Sequence, residues 1–433
     1  MVSRAASSSV GLCILCVSLA LTGCSEDDPE GAPAGQGGTG GSGTAGSGTA
    51  GSGTAGSSSV GGQGGAGPAS GAGGAAGAAA GSGGGPGGAA GSPAAKATCP
   101  RIAAVTGELD TSAFATFDAG LPFCVVGVHA IDGDVTSDYG TVGQLGPSGR
   151  LVGALKGKVG YAVWTAPEAT PANAKASLGK GTEVTVTADG VPAGAFFATP
   201  SGDQSNAYLS YTGAPPEFAG ELLQVSLVDG KITAKAAANG LYAVAAGSAP
   251  GDFFFTGLSN LGAVKTEPGN NGVYRGTCAA GTCKGKVVKQ WGDASGPIDT
   301  DENGTVFVAH STFGAMQVIT AFSTTAAATG ATVDVLTDAN FSGSLAAVQG
   351  QLVVAESNPS FAQEPLLFAS YTVGTGGAIT TSAPSAAKIR PVGMTTLNVV
   401  GSESAAGELW VIADSNGFAP AGKTVFIRLE RVK

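Results

Sequence analysis

The stretch GPIDTDENGTVFVAHSTFGAMQVITAF, residues 296–322, decides the fold. It contains a short strand-like run, an acidic turn, a second run rich in Val and Phe, a short loop and a third run that ends at Phe322. Val, Phe, Ile and Thr favour strands, and Asn303-Gly304 favours a tight hairpin because glycine tolerates a positive φ. The stretch therefore predicts three consecutive antiparallel strands.

The second of these runs recurs along the chain. Each copy is a glycine, an aromatic or β-branched run, a small residue and a polar turn. The copies begin at Gly194, Gly251, Gly304, Gly350 and Gly407, with a further candidate at Gly160. Their spacing is about 50 residues, which in an all-β chain is typical of a four-stranded propeller blade.

Residues 296–322 resemble a blade of the NHL and related lipoprotein propellers. The resemblance is firmest over 296–373 and 391–430 and weak over 98–190. It implies that residues 98–433 form an all-β domain, a β-propeller of six or seven blades at about 50 residues each. Ring closure would pair KTVFIRLERV (423–432) with an early strand such as FCVVGVHAI (123–131), which removes exposed sheet edges. The alternative is two β-sandwiches divided near residue 240.

The N-terminus is typical of an export signal. Arg4 precedes the apolar run Val10–Leu21, which is shorter than the about 20 residues that a membrane-spanning helix needs. Leu21-Thr22-Gly23-Cys24 resembles the lipobox of bacterial lipoproteins. The resemblance implies transfer of diacylglycerol to the Cys24 thiol, removal of the signal peptide 1–23, and acylation of the new amine.

A lipid on Cys24 would make the membrane a partner and place the protein in the cell envelope. Ser25 stands where an Asp would resemble an inner-membrane retention signal, so the outer membrane is favoured over the inner one. The domain would then face the periplasm or the cell surface.

Residues 24–97 form a low-complexity segment. From Pro29 to Ala97 nearly every residue is Gly, Ala, Ser or Thr, and GSGTA repeats over residues 41–55. Such a segment has too few large apolar side chains to offset the entropy of ordering, so it predicts a disordered linker. Its expected end-to-end distance is about 45 Å, which would hold the domain off the membrane.

The cysteines suggest disulfides. Cys13 and Cys16 would leave with the signal peptide, whereas an even number remain in the exported domain. Those four are Cys99, Cys124, Cys278 and Cys283. An exported chain favours two disulfides, with three pairings open, of which Cys99–Cys124 and Cys278–Cys283 are preferred. A four-thiolate zinc site is the alternative, and the absence of a second closely spaced pair disfavours it.

Two polar features are candidate sites. Asp299–Gly304 resembles the start of a calcium loop, but His310 stands where an EF-hand would have an acidic ligand, so a hairpin turn is preferred. His310, Glu356 and Asp414 end three copies of the repeated run, in VAHS, VAES and IADS. They could form a ligand ring at one mouth of a propeller channel, or each could cap its own turn.

The composition limits the function. The formal net charge of −10 disfavours nucleic acid as a partner. The sequence contains no H-E-x-x-H motif, no G-x-S-x-G elbow in the folded part, and only His129 and His310 as histidines. No catalytic residue, metal or cofactor is therefore predicted. A module that binds or scaffolds an envelope protein or polysaccharide is preferred over a hydrolase or lyase acting on a lactone, glycan or peptide, and over an inert surface-coat component.

Overall fold

The structure is a computed structural model that describes the chain between residues 123 and 431, with internal gaps. The gaps are residues 134–137, 146–148, 171, 188–194, 201–203, 213–217, 248, 250, 264–269, 312–316, 340, 358–366, 378–387, 390–394, 402–407 and 415–423. The predictions for the signal peptide 1–23, the lipid on Cys24, the linker 24–97 and Cys99 lie outside the described residues.

The first three blades follow one another along the chain, after an initial strand β1 (Phe123–Ala130) that belongs to the last blade. Blade 1 consists of β2 (Tyr139–Leu145), β3 (Arg150–Leu155), β4 (Gly160–Thr165) and β5 (Thr182–Thr185). Blade 2 consists of β6 (Ala195–Pro200), β7 (Asn206–Thr212), β8 (Gly220–Ser226) and β9 (Ile232–Ala237). Blade 3 consists of β10 (Leu241–Ala246), β11 (Asp252–Gly257), β12 (Gly272–Ala279) and β13 (Gly281–Gln290).

The last three blades complete the domain. Blade 4 consists of β14 (Ala294–Thr300), β15 (Thr305–Ser311), β16 (Gln317–Ser323) and β17 (Val333–Ala339). Blade 5 consists of β18 (Phe341–Val348), β19 (Gln351–Ser357), β20 (Leu367–Thr372) and β21 (Lys388–Ile389). Blade 6 consists of β22 (Thr395–Gly401), β23 (Glu408–Asp414), β24 (Thr424–Arg431) and β1. Short 3-10 turns lie at Ala326–Ala328 and Thr375–Gly377.

The first strands of the blades form a closed ring. β2 contacts β6, and the contacts continue through β10, β14, β18 and β22 back to β2. Each first strand also begins four strands that pair antiparallel in sequence; those of blades 4, 5 and 6 form separate sheets, and those of blades 1, 2 and 3 are joined into one twelve-stranded sheet by short parallel contacts between β2 and β6 and between β9 and β13. Over the described residues the domain is therefore a six-bladed β-propeller, and the alternative of two β-sandwiches is wrong because every described sheet belongs to this ring.

The apolar side chains pack between neighbouring blades rather than in one central core. Six hydrophobic clusters are present, one at each of the six blade junctions. Successive side chains of a strand point to opposite faces of its sheet, so each blade serves two junctions. In β23, for example, Leu409 and Val411 pack against blade 5, whereas Trp410 and Ile412 pack against blade 1.

The predicted ring closure is confirmed. β1 pairs with β24 in an antiparallel register that runs from Phe123 opposite Arg431 to Ala130 opposite Val425. The first described strand is thus the outermost strand of the blade that the end of the chain builds. The predicted hairpin of residues 296–322 is also confirmed, as β14, β15 and β16.

The phase of the repeat is wrong in the first two blades. The runs after Gly251, Gly304, Gly350 and Gly407 are second strands, but AFFATP is the innermost strand β6 and GYAVWT is the third strand β4. The reason is that a blade is covered on both faces by its neighbours. First, second and third strands therefore all read as apolar runs, and an aromatic run after glycine does not identify the second strand.

The predicted disulfide between Cys278 and Cys283 is confirmed. These residues are direct cross-strand partners in the β12–β13 hairpin, and the positive φ values of Ala280 and Gly281 form its turn. A bonded pair cannot supply two zinc thiolates, so the alternative zinc site is wrong. Cys124 is also disulfide-bonded, whereas Cys99 lies outside the described residues.

Candidate functional site

The three residues of the predicted ligand ring occupy equivalent strands. His310, Glu356 and Asp414 lie at the ends of β15, β19 and β23, the second strands of blades 4, 5 and 6. Second strands run in the same direction in every blade, so these ends lie on the same side of the propeller. The side chains of Glu356 and Asp414 lie outside the described part of the structure, and their convergence on a channel mouth stays a prediction.

The side chain of His310 bonds to and stacks on other residues of the domain. Its Nδ1 lies 3.1 Å from Asp293 Oδ2, and its Nε2 lies 2.9 Å from Thr320 Oγ1. The Thr320 hydroxyl donates to Asp334 Oδ1 at 2.7 Å. The ring of Trp291 stacks on the imidazole at 4.1 Å between centroids. These five residues, which we call the blade 4 cluster, join the segment before β14 to the three strands that follow it.

The hydrogen bonds of the blade 4 cluster require a particular arrangement of hydrogens. Because Thr320 donates to Asp334, its oxygen can only accept from Nε2 of His310. Nδ1 faces the Asp293 carboxylate, which also accepts. Both ring nitrogens of His310 therefore face oxygen atoms, and the imidazole links Asp293 to Thr320, which holds the segments of blade 4 together.

The order Asp293, His310 and Thr320 resembles an orienting acid, a base and a hydroxyl nucleophile. Thr320 is fully buried, however, at 0% relative exposure, so a substrate cannot reach its hydroxyl. The arrangement is therefore structural. The repeat in the sequence points only to His310 of this cluster, because the other members come from the segment before β14 and from β16 and β17, and they carry no motif.

His310→Phe is expected to lower the free energy of unfolding by about 1–3 kcal/mol. Phenylalanine keeps a ring to stack on Trp291 but removes the ring nitrogens that bond Asp293 and Thr320, and Thr320 keeps only its bond to Asp334. Urea denaturation followed by fluorescence measures the change. In the same blade, Thr329→Val removes an exposed hydroxyl bond and should change stability by less than about 0.5 kcal/mol. Equal effects of the two substitutions would contradict a structural role for His310.

The acidic hairpin Asp299–Gly304 forms the predicted turn. Asp301 Oδ1 accepts hydrogen bonds from the backbone N–H groups of Asn303 and Thr305, and Gly304 has a φ of +74°. Within the described ranges, no group of three or more His, Cys, Asp or Glu side chains could hold a metal ion.

Two carboxylates of the acidic hairpin bind the neighbouring blade. Asp299 Oδ2 accepts from the backbone N–H of Ala347 at 2.7 Å, and Glu302 Oε2 accepts from that of Gln349 at 3.0 Å. Ala347 belongs to β18 and Gln349 to the turn that follows it. The hairpin of blade 4 therefore fastens the first hairpin of blade 5.

Asp299 has an unusual electrostatic environment. The Asp299 residue is half-buried, and protein atoms surround its carboxyl group closely. This burial raises the pKa of the carboxyl to about 7. Hydrogen bonds from Ala347 and Thr300 oppose this rise, and the nearby Asp301 charge adds to it. A group that links two blades thus changes charge near neutral pH.

Blade 6 contains a buried ion pair next to the ring closure. Arg428 on β24 bonds to Glu408 on β23, and both side chains are less than 10% exposed. Arg428 also donates to the Pro167 carbonyl at 3.1 Å and lies over the Trp410 ring at 5.6 Å. Desolvation raises the pKa of Glu408, and Arg428 opposes that rise. Through Arg428 the pair joins blade 6 to the segment between β4 and β5 of blade 1.

The other histidine is also structural. His129 on β1 is buried, and its Nδ1 lies 2.8 Å from the Ala176 carbonyl oxygen. Burial lowers the pKa of His129, with the Arg428 charge acting in the same direction. Its bond anchors β1 to the segment between β4 and β5.

Over the part of the chain that the structure describes, no helix has the length and apolar character to cross a membrane.

Comparisons with known proteins give no family. No family model and no curated protein sequence matches this chain. Among solved structures, a glucose dehydrogenase is 10% identical, with a TM-score of 0.45, and the match covers 71% of this chain and 99% of that one. A putative TolB from Agrobacterium tumefaciens is 10% identical (TM-score 0.40; 68% and 91% covered), and the WD40 domain of Toxoplasma gondii coronin is 11% identical (TM-score 0.41; 68% and 70% covered).

Likenesses at these identities carry no information about activity. The sheet order and the closed ring of first strands stand on their own, and they make the folded part of this chain a β-propeller module of six blades.

Proposed function

We propose that this protein is a cell-envelope lipoprotein whose propeller acts as a binding or scaffolding module, held on the outer membrane by a lipid on Cys24. The observation that carries the binding role is the closed ring in which polar side chains join strands and blades. Such a ring is a rigid frame for the loops that connect its strands. Rigid presentation of loops suits recognition, because little conformational entropy is lost on binding.

The chemistry of the described residues supports binding over catalysis. Both histidines, Asp299, and the Glu408–Arg428 pair bond to neighbouring strands or blades. Within the described residues, the arrangement closest to a nucleophile with its base is sealed from solvent at Thr320. The partner would be an envelope protein or polysaccharide, and the acidic net charge argues against nucleic acid.

The anchor is supported by the sequence alone. The apolar run Val10–Leu21, the lipobox ending at Cys24 and the low-complexity linker occur in the order that a tethered lipoprotein requires. Two or three acyl chains, at about 0.8 kcal/mol per buried CH₂, give stable attachment where one chain gives marginal attachment.

Cys24→Ser is expected to abolish acylation of the full chain when it is expressed in a Gram-negative bacterium supplied with an alkyne-tagged palmitate. Without the thiol, diacylglycerol has no acceptor, so the label should be absent. The control variant Cys13→Ser with Cys16→Ser changes thiols of the signal peptide and should keep the label. Mass spectrometry should find an acylated peptide that begins at Cys24. An unmodified peptide, or one that begins before residue 24, would contradict the anchor.

A further inference from the structure

The outermost strand of blade 3 is an open sheet edge. β13 spans Gly281–Gln290 and is the longest strand of the domain at 10 residues. It pairs with β12 along its length, but with β9 of blade 2 only at Gly281 and Thr282. From Cys283 to Gln290 it has no second strand beside it among the described residues. An edge of this kind presents backbone donors and acceptors to another strand, apart from the Gly285 carbonyl, which accepts from Asn260.

Three lysines of β13 lie on one face of the sheet. Residues directly opposite each other in an antiparallel pair point to the same face. The pairs are Thr277 with Lys284, Arg275 with Lys286, and Val273 with Lys289. Because residues 273, 275 and 277 alternate along β12, they share a face, and so do the three lysines.

A β-bulge produces this alignment. The register shifts between the pairs Tyr274–Val287 and Val273–Lys289, so one additional residue, Val288, lies in β13. In a regular strand Lys289 would point away from Lys284 and Lys286, because it is an odd number of residues from each. The bulge moves Lys289 onto their face. We call Lys284, Lys286 and Lys289 the lysine row.

The lysine row carries unneutralised positive charge in an acidic protein. All three lysines are exposed, and none forms an ion pair with a residue that the structure describes. Lysines of blades 1 and 2 differ, since Lys158 of blade 1 pairs with Glu183 and Lys235 of blade 2 pairs with Glu221. Arg275, on the same face, is held by both carboxylate oxygens of Asp252 at 2.8 and 2.9 Å.

Lysines on an edge strand commonly prevent pairing with other strands. That protection depends on charge, so a strand with carboxylates at the facing positions would be attracted rather than repelled. Neighbouring side chains on one face of a strand are about 6.7 Å apart, and the lysine row spans about 13 Å. An extended segment with Asp or Glu at every second residue has the same spacing.

The opposite face of β13 is small and apolar. Val287 is 42% exposed, and it lies two residues from Gly285 on the face away from the lysines. The Asn260 side chain already donates to the Gly285 carbonyl at 3.0 Å.

The Cys278–Cys283 disulfide fixes the start of the open edge. A fixed edge lowers the entropy that a partner strand must lose on binding.

We propose that β13 is the docking edge for an extended acidic segment of a partner protein, which adds to blade 3 as a further strand with carboxylates facing Lys284, Lys286 and Lys289. The proposal names a partner class for the binding role proposed above and rests on it. It does not depend on acylation of Cys24, so the two can fail separately.

The test uses the full mature chain in detergent and a fluorescent peptide with alternating Thr and Glu, three Glu in all. The triple variant Lys284→Gln, Lys286→Gln, Lys289→Gln should bind this peptide at least about tenfold more weakly than the unaltered chain. The control triple Lys158→Gln, Lys180→Gln, Lys231→Gln removes the same charge from other exposed positions and should bind normally. Fluorescence anisotropy measures both affinities, and circular dichroism checks that the variants fold.

Two further probes distinguish strand addition from simple charge attraction. A peptide with its three Glu adjacent, and one with alternate backbone nitrogens methylated, should each bind at least about tenfold more weakly than the alternating peptide. Equal binding of all three peptides would overturn the proposal, as would the absence of any binding. Tighter binding of an oligogalacturonate, lost in the lysine triple variant, would also overturn it and assign the row to an acidic polysaccharide.

Discussion

Glu408→Ala is expected to lower the free energy of unfolding by about 3–5 kcal/mol, because it leaves the buried guanidinium of Arg428 without its counter-charge. Arg428 keeps its bond to the Pro167 carbonyl and its position over Trp410, and neither contact neutralises it. The loss falls on blade 6, where the ring closes. Urea denaturation at pH 7, followed by tryptophan fluorescence, measures it.

An exposed ion pair provides the matched control. Glu221→Ala breaks the pair with Lys235, whose side chain is 54% exposed, and should cost less than about 1 kcal/mol. The double variant Glu408→Leu with Arg428→Met replaces both buried charges and should recover most of the stability that Glu408→Ala loses. A loss below about 1 kcal/mol for Glu408→Ala would show that Arg428 reaches solvent or another anion.

The second large effect concerns pH. The pKa of Asp299 is about 7 in the folded protein against 3.8 for the ordinary carboxyl, so the folded state binds the proton more tightly than the unfolded chain. The stability from this group is therefore greatest below pH 4 and falls as the pH rises towards 7, after which it is constant. Asp299→Asn is neutral at every pH and keeps an oxygen for the Ala347 N–H, so it should remove this fall.

The measurement is the difference in unfolding free energy between Asp299→Asn and the unaltered chain from pH 4 to pH 8. The difference should be near zero at pH 4 and favour the variant by on the order of 2–4 kcal/mol at pH 8. Asp229→Asn is the control, because hydrogen bonds and the Lys231 charge lower the pKa of that exposed carboxyl to about 2. The difference in unfolding free energy between Asp229→Asn and the unaltered chain should be small and favour the unaltered chain. If the difference in unfolding free energy for Asp299→Asn does not change with pH, the raised pKa of Asp299 is contradicted.

The sequence predicts the architecture best where turn chemistry and strand composition agree. The hairpin around Asn303-Gly304 and the pairing of β1 with β24 followed from local residue types and from the need to cover sheet edges. The sequence predicts six or seven blades without deciding between them, and its repeat misplaces the second strands of blades 1 and 2. Strands buried on both faces all have similar apolar composition, so position within a blade leaves little trace in the sequence.

The sites were less predictable, because their geometry comes from pairing. His310 was singled out by its place in a repeat, but Asp293, Thr320 and Asp334 meet it from three other segments. Alternation along the sequence places Lys289 on the face opposite Lys284 and Lys286. The bulge that brings Lys289 to the face of Lys284 and Lys286 is visible only in the register with β12. No residue type in the sequence indicates this bulge.

The closure of the ring by its first and last strands has a consequence for biogenesis. β1 ends at Ala130, but its partner β24 begins only at Thr424, so the first described strand lacks this partner until the residues between them have been synthesised. At 5–20 residues per second that wait lasts roughly 15–60 s. During it, the apolar run Phe123–Val128 is open to aggregation. We expect chains of this protein to require a holding chaperone until β24 can pair with β1.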